Sequence, residues 1–171
     1  MLELYYYENS ICSERALMVL AEKNETDWVP HHVHLFEHEQ FDPEYLKLNP
    51  KAQVPTLVHD GAIIRESSLI ADYLVDLYPT PTLKPTKLSE IARMREWIKE
   101  ADEAGYEGVA SLSFVIIFRA KLMAMSEQDR DAYWVGQTVL ERTQRQQSCV
   151  YDGFDSPYAL RAIATWERVF Q

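Results

Sequence analysis

The sequence predicts an α/β domain followed by an all-α domain, on three observations. Short runs of strand-forming residues alternate with amphipathic helical stretches over residues 1–78. A proline-rich stretch follows, with Pro79, Pro81 and Pro85 inside seven residues, which is typical of a linker. Beyond it, almost every stretch has helical spacing. We therefore predict an α/β domain at 1–78, a linker at 79–87 and a helical domain at 88–171.

The elements of the first domain follow one another in the order β-α-β-α-β-β-α. Strands are predicted at residues 2–7, 26–33, 53–57 and 62–64. Helices are predicted at residues 13–23 and 67–77, and a short helix or turn at residues 42–48. The last two strands form a hairpin around Asp60-Gly61, because this dipeptide favours a tight turn. The order is that of a thioredoxin-like domain.

Three helices are predicted in the second domain. They cover residues 88 to about 125, 126 to about 151, and 156–170. Ser126 followed by acidic residues is typical of a helix start, and Asp152-Gly153 of a helix end. Ser156-Pro157 supplies a cap and a first-turn proline to the last helix.

Composition and charge exclude several classes of partner. The chain has 171 residues, is 47% hydrophobic and carries a formal net charge of −10. An acidic protein is a poor general binder of the phosphate backbone, so we expect no nucleic acid partner. No apolar run approaches membrane-spanning length and no signal-peptide pattern is seen, so we expect no membrane association. Two cysteines are too few for a disulfide framework, which favours the cytoplasm.

Two short stretches together predict a cradle for a small peptide. Because Pro55 cannot donate to a β-ladder, Val54 is expected to be free at a sheet edge, where a peptide-like ligand can pair with its backbone. Gln53 precedes them in the same loop. Glu66-Ser67 begins a helix and presents a carboxylate, a hydroxyl and unpaired N–H groups. Such a pair suits the amine and carboxylate of an amino-acid headgroup.

The turn between the first strand and the first helix carries three candidate catalytic residues, Ser10, Cys12 and Ser13. A helix N-terminus stabilises anions, including a thiolate. Ser10 can therefore donate a hydrogen bond to a ligand thiolate and lower its pKa. Either serine can instead simply cap the helix. Cys12 can form a mixed disulfide with a bound thiol, or lie buried and inert.

These motifs resemble those of the glutathione S-transferase superfamily. Ser10-Ile-Cys-Ser-Glu-Arg is similar to the catalytic turn of the serine-type classes (tau and zeta), Gln53-Val-Pro-Thr-Leu to the cis-proline loop, and Glu66-Ser67 to the pair that holds the γ-glutamyl group. The resemblance implies glutathione as cosubstrate, held by Gln53, Val54, Pro55, Glu66 and Ser67. Omega-class enzymes carry cysteine at the position of Ser10, and beta-class enzymes place a catalytic cysteine nearer Cys12.

A narrower resemblance is to the bacterial glutathione-dependent β-etherases of lignin breakdown. It is carried by the stretches 60–73, 93–99, 102–103, 125–127 and 152–154, in matching order and at similar spacing. In those enzymes glutathione thiolate displaces an aryloxide and a first-turn serine assists. Aligned on the end of the first helix, that serine falls at Ser13. Family members continue past the last helix of this chain, so we expect its helical domain to be shortened or incomplete.

The remaining expectations concern the second substrate and the partners. We expect a small hydrophobic electrophile and a homodimer. The candidates for the substrate pocket are Tyr7, Tyr106, Ser113 and Phe114. The same residues are equally well explained as part of the hydrophobic core or of a contact between subunits. The histidines at 31, 32, 34 and 38 have no cysteine or acidic partner at ligand spacing, so no metal is expected. The rival functions are a Cys12-based thiol transferase or reductase and a non-catalytic glutathione-binding module.

Overall fold

The computed structural model describes residues 1–169. The chain forms two compact units, one of Met1–Ile91 and the other beginning at Ala92. Among the helices of residues 1–169, none combines the length and the apolar character that crossing a membrane requires.

The first unit has the predicted thioredoxin-like order of elements. Its strands are β1 (Leu2–Tyr6), β2 (Val29–His32), β3 (Thr56–His59) and β4 (Ala62–Arg65). Its helices are α1 (Ile11–Glu22), α2 (Pro43–Leu48) and α3 (Ser67–Leu77). Two 3₁₀ turns, Leu35–Glu37 and Glu39–Phe41, join β2 to α2.

The four strands form one mixed sheet in the order β2-β1-β3-β4. β1 runs parallel to β2, whereas β3 is antiparallel to both β1 and β4. β3 is therefore an interior strand, and the prediction that Val54 lies at a sheet edge is wrong. Val54 instead precedes β3 and takes no part in the sheet. The pairing of β3 ends at Thr56, which pairs with Tyr5 on one side and with Arg65 on the other.

Alternation along the strands divides the core of this unit in two. One cluster lies under α1 and α3 and consists of Leu2, Leu4, Ala16, Leu20, Leu57, Ile70 and Leu74. The second consists of Tyr7, Val33, Tyr45 and Val54. The second cluster packs the start of the β1–α1 turn against the loop before β3, so it positions two of the predicted site segments.

The second unit is helical, as predicted. Its helices are α4 (Leu88–Glu100, which begins in the first unit), α5 (Tyr106–Ser113), α6 (Arg119–Ala124), α7 (Glu127–Val135), α8 (Leu140–Asp152) and α9 (Pro157–Val169). Two π-helical turns, Ala101–Gly105 and Phe114–Phe118, join α4 to α5 and α5 to α6. The long helix predicted from residue 88 is thus observed as a continuous helical stretch to Ala124, interrupted by two π-helical turns.

The single helix predicted from residue 126 to about 151 is wrong. The structure breaks it at residues 136–139, where Gly136 ends α7 and Val139 has extended backbone angles. Glycine, threonine and valine have low helix propensity, and here they follow one another closely. The predicted signals on either side are confirmed. Ser126 Oγ caps α7 by accepting the Asp129 N–H at 3.1 Å, and α8 ends before Gly153, whose φ is 63°.

The last helix was expected at 156–170 and is observed as Pro157–Val169; residue 170 lies outside the described part of the chain. Ser156 Oγ accepts the Tyr158 N–H at 3.3 Å, as a cap does.

Candidate functional site

Three predicted site segments leave the sheet at the same end. Tyr5 of β1 pairs with Thr56 of β3, and Thr56 pairs with Arg65 of β4. Because these strands are antiparallel neighbours, the chain after β1, the chain before β3 and the chain after β4 all lie at this end. The register therefore brings together the turn at Ser10, the loop at Val54-Pro55 and the helix start at Glu66.

The loop before β3 presents free backbone. The Val54–Pro55 peptide bond is cis, as the family resemblance implies. The Val54 N–H and C=O make no hydrogen bond to any residue that the structure describes. Its side chain is buried, with 9% exposed, in the cluster with Tyr7 and Tyr45. Val54 is therefore anchored by its side chain, and within residues 1–169 its peptide groups make no competing hydrogen bond.

Two residues that the sequence analysis missed support this loop. Tyr45 Oη donates to the carbonyl of Gln53 at 2.5 Å and lies 3.1 Å from Thr56 Oγ1. Asn49 Nδ2 donates to the same carbonyl at 2.8 Å. Burial raises the pKa of Tyr45 to about 12, and the hydrogen bond with Thr56 offsets part of that rise. No local pattern marks Tyr45 or Asn49, because their roles depend on the way α2 packs beside β3.

Glu66 has an unusual backbone conformation at the start of α3. Its φ is 67° and its ψ is 120°, and its side chain does not cap the helix. A non-glycine residue in this region costs on the order of 1–3 kcal/mol, and such residues cluster at functional sites. Ser67 begins the helix, whose first N–H groups have no intrahelical partner.

The Glu66 carboxylate has a basic neighbour that the sequence analysis also missed. Lys51 Nζ donates to Glu66 Oε1 at 2.7 Å, and both side chains are more than half exposed. The lysine stands two residues before Gln53, so it belongs to the same loop. The helix start therefore offers a carboxylate, an ammonium group and free N–H groups to one zwitterionic headgroup.

The two serines of the first turn are held differently. Ser10 is half-buried and caps α1, with its Oγ accepting the Ser13 N–H at 3.4 Å. Ser13 is fully buried, and its Oγ accepts the Tyr7 N–H at 3.2 Å. Cys12 is partly exposed in the first turn of α1, and it forms no disulfide with Cys149. Of the two serines, only Ser10 has exposed surface.

The predicted pocket residues lie in different settings. Tyr7 is in the core of the first unit, with 8% exposed. In the second unit, Phe114 is buried and packs against Phe118 with ring centroids 5.0 Å apart. Ser113 and Tyr106 are half-buried, and Tyr106 lies under the guanidinium of Arg145 at 5.9 Å.

The histidines of the first unit make polar contacts with one another and with carboxylates. His31 Nε2 lies 2.8 Å from Glu3, His32 Nδ1 lies 3.1 Å from His34 Nε2, and His32 also contacts Glu8. Within residues 1–169, no group of three or more His, Cys, Asp or Glu side chains is arranged to hold a metal ion.

The thioredoxin-like unit and the helical unit after it define a class of two-part proteins with an α/β domain followed by an all-α domain. The family model for the glutathione S-transferase N-terminal domain matches residues 4–82. A probable maleylacetoacetate isomerase of Caenorhabditis elegans is 30% identical over 154 residues, which cover 80% of this chain and 71% of that protein. The chain belongs to the glutathione S-transferase superfamily.

The chain is also similar to two other members of the superfamily, a bacterial protein and a plant glutathione S-transferase. Protein LigF of Sphingobium sp. strain SYK-6 is 32% identical over 130 residues, 75% of this chain and 50% of LigF. The crystal structure of the beta-etherase LigF superposes with a TM-score of 0.84 at 26% identity, covering 96% of this chain and 68% of that one. Glutathione S-transferase Z1 of Arabidopsis thaliana is 38% identical over 92 residues, 53% of this chain and 41% of that protein. In these two sequence comparisons the chain spans half of the length of LigF and less than half of the length of the plant enzyme.

Proposed function

We propose that this protein is a glutathione transferase whose glutathione lies across the three segments at the end of the sheet. The observation that carries the proposal is the register of Tyr5 with Thr56 and of Thr56 with Arg65. The backbone of Val54 pairs with the cysteinyl residue of glutathione, in the loop of Gln53 and cis Pro55. Glu66 and Ser67 hold the γ-glutamyl amine and carboxylate.

In this proposal Ser10 donates a hydrogen bond to the glutathione sulfur. A hydrogen bond to a charged group contributes about 1.5–3 kcal/mol, and a helix N-terminus about 0.3–1 kcal/mol. Both favour the thiolate over the thiol and so lower the pKa of the sulfur. The thiolate then attacks an electrophilic carbon. Ser13, buried against Tyr7, keeps the turn in shape rather than touching the sulfur.

The second substrate is a small hydrophobic electrophile, with aryl ethers as the narrower candidate. Similarity to the beta-etherase LigF supports aryl ethers. We further propose that the protein acts as a homodimer in the cytoplasm, without a nucleic acid or membrane partner.

The test is the Ser10→Ala variant, assayed with glutathione against aryl halides and β-aryl ethers. We expect kcat to fall by about tenfold or more while the Kd for glutathione changes little, because the lost hydrogen bond acts on the thiolate. Ser13→Ala is the matched control, and its loss of kcat should be the smaller one. Equal kcat for wild type and Ser10→Ala would contradict the role of Ser10.

Cys12 supports a second candidate function, because it is partly exposed on the first turn of α1. A Cys12 thiolate would attack a disulfide of glutathione with a second thiol, forming the Cys12–glutathione mixed disulfide and releasing that thiol; a further glutathione thiolate would then attack the mixed disulfide, releasing Cys12 and oxidised glutathione. Mass spectrometry under oxidised glutathione distinguishes the two: an adduct on Cys12, with disulfide reductase activity lost in Cys12→Ser, would favour the reductase. Binding of glutathione without turnover of any substrate would indicate a binding module.

A further inference from the structure

A closed set of hydrogen bonds surrounds the backbone carbonyl of Gln53. Tyr45 Oη donates to this carbonyl at 2.5 Å, and Asn49 Nδ2 donates to it at 2.8 Å. Asn49 Nδ2 also donates to Thr56 Oγ1 at 3.1 Å, and Thr56 Oγ1 lies 3.1 Å from Tyr45 Oη. The side chains that close the network are buried, with Tyr45 6%, Asn49 3% and Thr56 0% exposed. The four residues therefore form one polar network inside the first unit.

The direction of each hydrogen bond in this network follows from its donors. A carbonyl only accepts, so Tyr45 uses its single O–H proton on Gln53. Thr56 must then donate its hydroxyl proton to Tyr45 Oη, and Thr56 Oγ1 accepts one of the two N–H groups of Asn49. The orientation of the Asn49 amide is set by its Oδ1, which accepts the Lys51 N–H at 3.1 Å. Every side-chain donor of the network thus has an acceptor, and both lone pairs of the Gln53 carbonyl are used.

The network fixes the plane of the peptide group between Gln53 and Val54. This peptide bond is trans, so its carbonyl and its N–H lie in one plane and point in opposite directions. Because Tyr45 and Asn49 hold the carbonyl on their side, the Val54 N–H is directed to the other side. Two hydrogen bonds to a carbonyl also polarise the amide, which makes its N–H a stronger donor.

We propose that Tyr45 is a positioning residue, which acts through the Gln53 carbonyl to direct the Val54 N–H towards bound glutathione. The proposal rests on the transferase function proposed above and deepens it. Backbone pairing matches the Val54 N–H with the carbonyl of the cysteinyl residue of glutathione. Burial raises the pKa of Tyr45 to about 12, so at neutral pH the phenol keeps the proton that it donates. Since Tyr45 is itself buried, its effect on the ligand passes through the peptide group.

The first experiment measures the mobility of this peptide group without a ligand. The NMR order parameter of an amide is about 0.85 in a rigid backbone and below about 0.6 in a flexible one. We expect the rigid value for the Val54 amide in wild type and a lower value in Tyr45→Phe, which removes only the hydroxyl. The Val54 signal is identified by its loss in Val54→Ile, and Tm checks that each variant is folded.

Tyr73→Phe is the matched control for this measurement. It removes a phenol that lies 2.6 Å from His59 Nδ1, at the end of β3 opposite Thr56. The order parameter of Val54 should stay at its wild-type value in this variant. An unchanged order parameter in Tyr45→Phe, or an equal fall in both variants, would overturn the proposal.

The second experiment measures the Kd of glutathione and of an analogue in which a trans alkene replaces the cysteinyl–glycine amide. The analogue lacks the carbonyl that the Val54 N–H is proposed to meet. We expect Tyr45→Phe to weaken glutathione binding by about two- to tenfold, the value of one hydrogen bond, and binding of the analogue by less than about twofold. A general loss of structure would weaken both ligands equally, and that result would overturn the proposal.

The two experiments separate this proposal from the transferase function. Wild type that binds neither ligand, together with a Val54 order parameter that falls in Tyr45→Phe alone, would refute the transferase function while the positioning of the Val54 N–H by Tyr45 stands. Wild type that binds glutathione, together with the same Kd in Tyr45→Phe, would leave the transferase function and overturn the role of Tyr45.

Discussion

The two serines of the first turn differ in their surroundings, and the difference can be measured as stability. Ser13→Ala leaves the buried Tyr7 N–H without its acceptor, so we expect the free energy of unfolding to fall by about 1–3 kcal/mol. Ser10→Ala removes a helix cap and should cost about 1 kcal/mol. Urea denaturation measures both. Ser89→Ala, at an exposed position of α4, is the control and should change stability by about 0.5 kcal/mol or less. Wild-type stability in Ser13→Ala would contradict its structural role.

The backbone conformation of Glu66 predicts that glycine is more stable than alanine at this position, the reverse of their usual order in a helix. At an ordinary helical position glycine is about 1 kcal/mol less favourable than alanine. At φ 67° and ψ 120° alanine keeps the steric cost of its Cβ, whereas glycine avoids it. We therefore expect Glu66→Gly to be about 1 kcal/mol more stable than Glu66→Ala in urea denaturation.

Glu96, exposed within α4, is the matched site where the ordinary order should hold, with Glu96→Ala the more stable. Glu66→Ala more stable than Glu66→Gly would show that Glu66 is unstrained. Both Glu66 variants should bind glutathione more weakly than wild type, because both lack the carboxylate proposed to hold its amine.

Local chemistry was enough to mark some residues of the candidate site but not others. Val54-Pro55 and Glu66-Ser67 were recognisable because each signal lies within two or three adjacent residues. Lys51 and Tyr45 were not, since their partners Glu66 and Gln53 are brought to them by tertiary packing. The catalytic and binding roles of the marked residues stay predictions.

At the scale of elements, periodicity predicted the order of strands and helices but not every boundary. The strand predicted at 26–33 is shorter, Val29–His32, because its first residues do not pair with β1. The long helix predicted after residue 126 was wrong because its periodicity continues through the break at 136–139. The place of β3 inside the sheet also follows from tertiary pairing, which no local pattern contains.

The packing of α5 against α9 depends on one glycine. A Cβ added at Gly108 would lie 2.7 Å from Trp166 Nε1, whereas one at Gly105 would meet its nearest atom, in the same indole, at 3.9 Å. We expect Gly108→Ala to lower the free energy of unfolding by about 1–3 kcal/mol through overpacking. Gly105→Ala is the control, and it should be neutral or up to about 1 kcal/mol stabilising through helix propensity. Thermal or urea unfolding measures both, and equal effects would refute the close approach.

For the whole molecule, each of the two units buries a tyrosine whose pKa is shifted. Burial raises the pKa of Tyr45 in the first unit and of Tyr133 in the second to about 12. The hydrogen bond of Tyr45 with Thr56 and the charge of Arg142 near Tyr133 oppose these rises. Alkaline pH should therefore destabilise both units.

The direction of this effect follows from proton binding. Below about pH 10 the phenol is protonated in both the folded and the unfolded chain, so its contribution is constant. Between about pH 10 and 12 the unfolded chain loses the proton and the folded chain keeps it, so the free energy of unfolding falls as pH rises. The loss is at most about 2.7 kcal/mol for each tyrosine, from two pKa units at about 1.36 kcal/mol each. Urea denaturation near pH 9 and near pH 11 measures it. In Tyr45→Phe and in Tyr133→Phe the free energy of unfolding should fall less than in wild type between these two pH values, because phenylalanine has no proton to lose. The same fall in all three proteins would rule out the two tyrosines as the cause of alkaline unfolding.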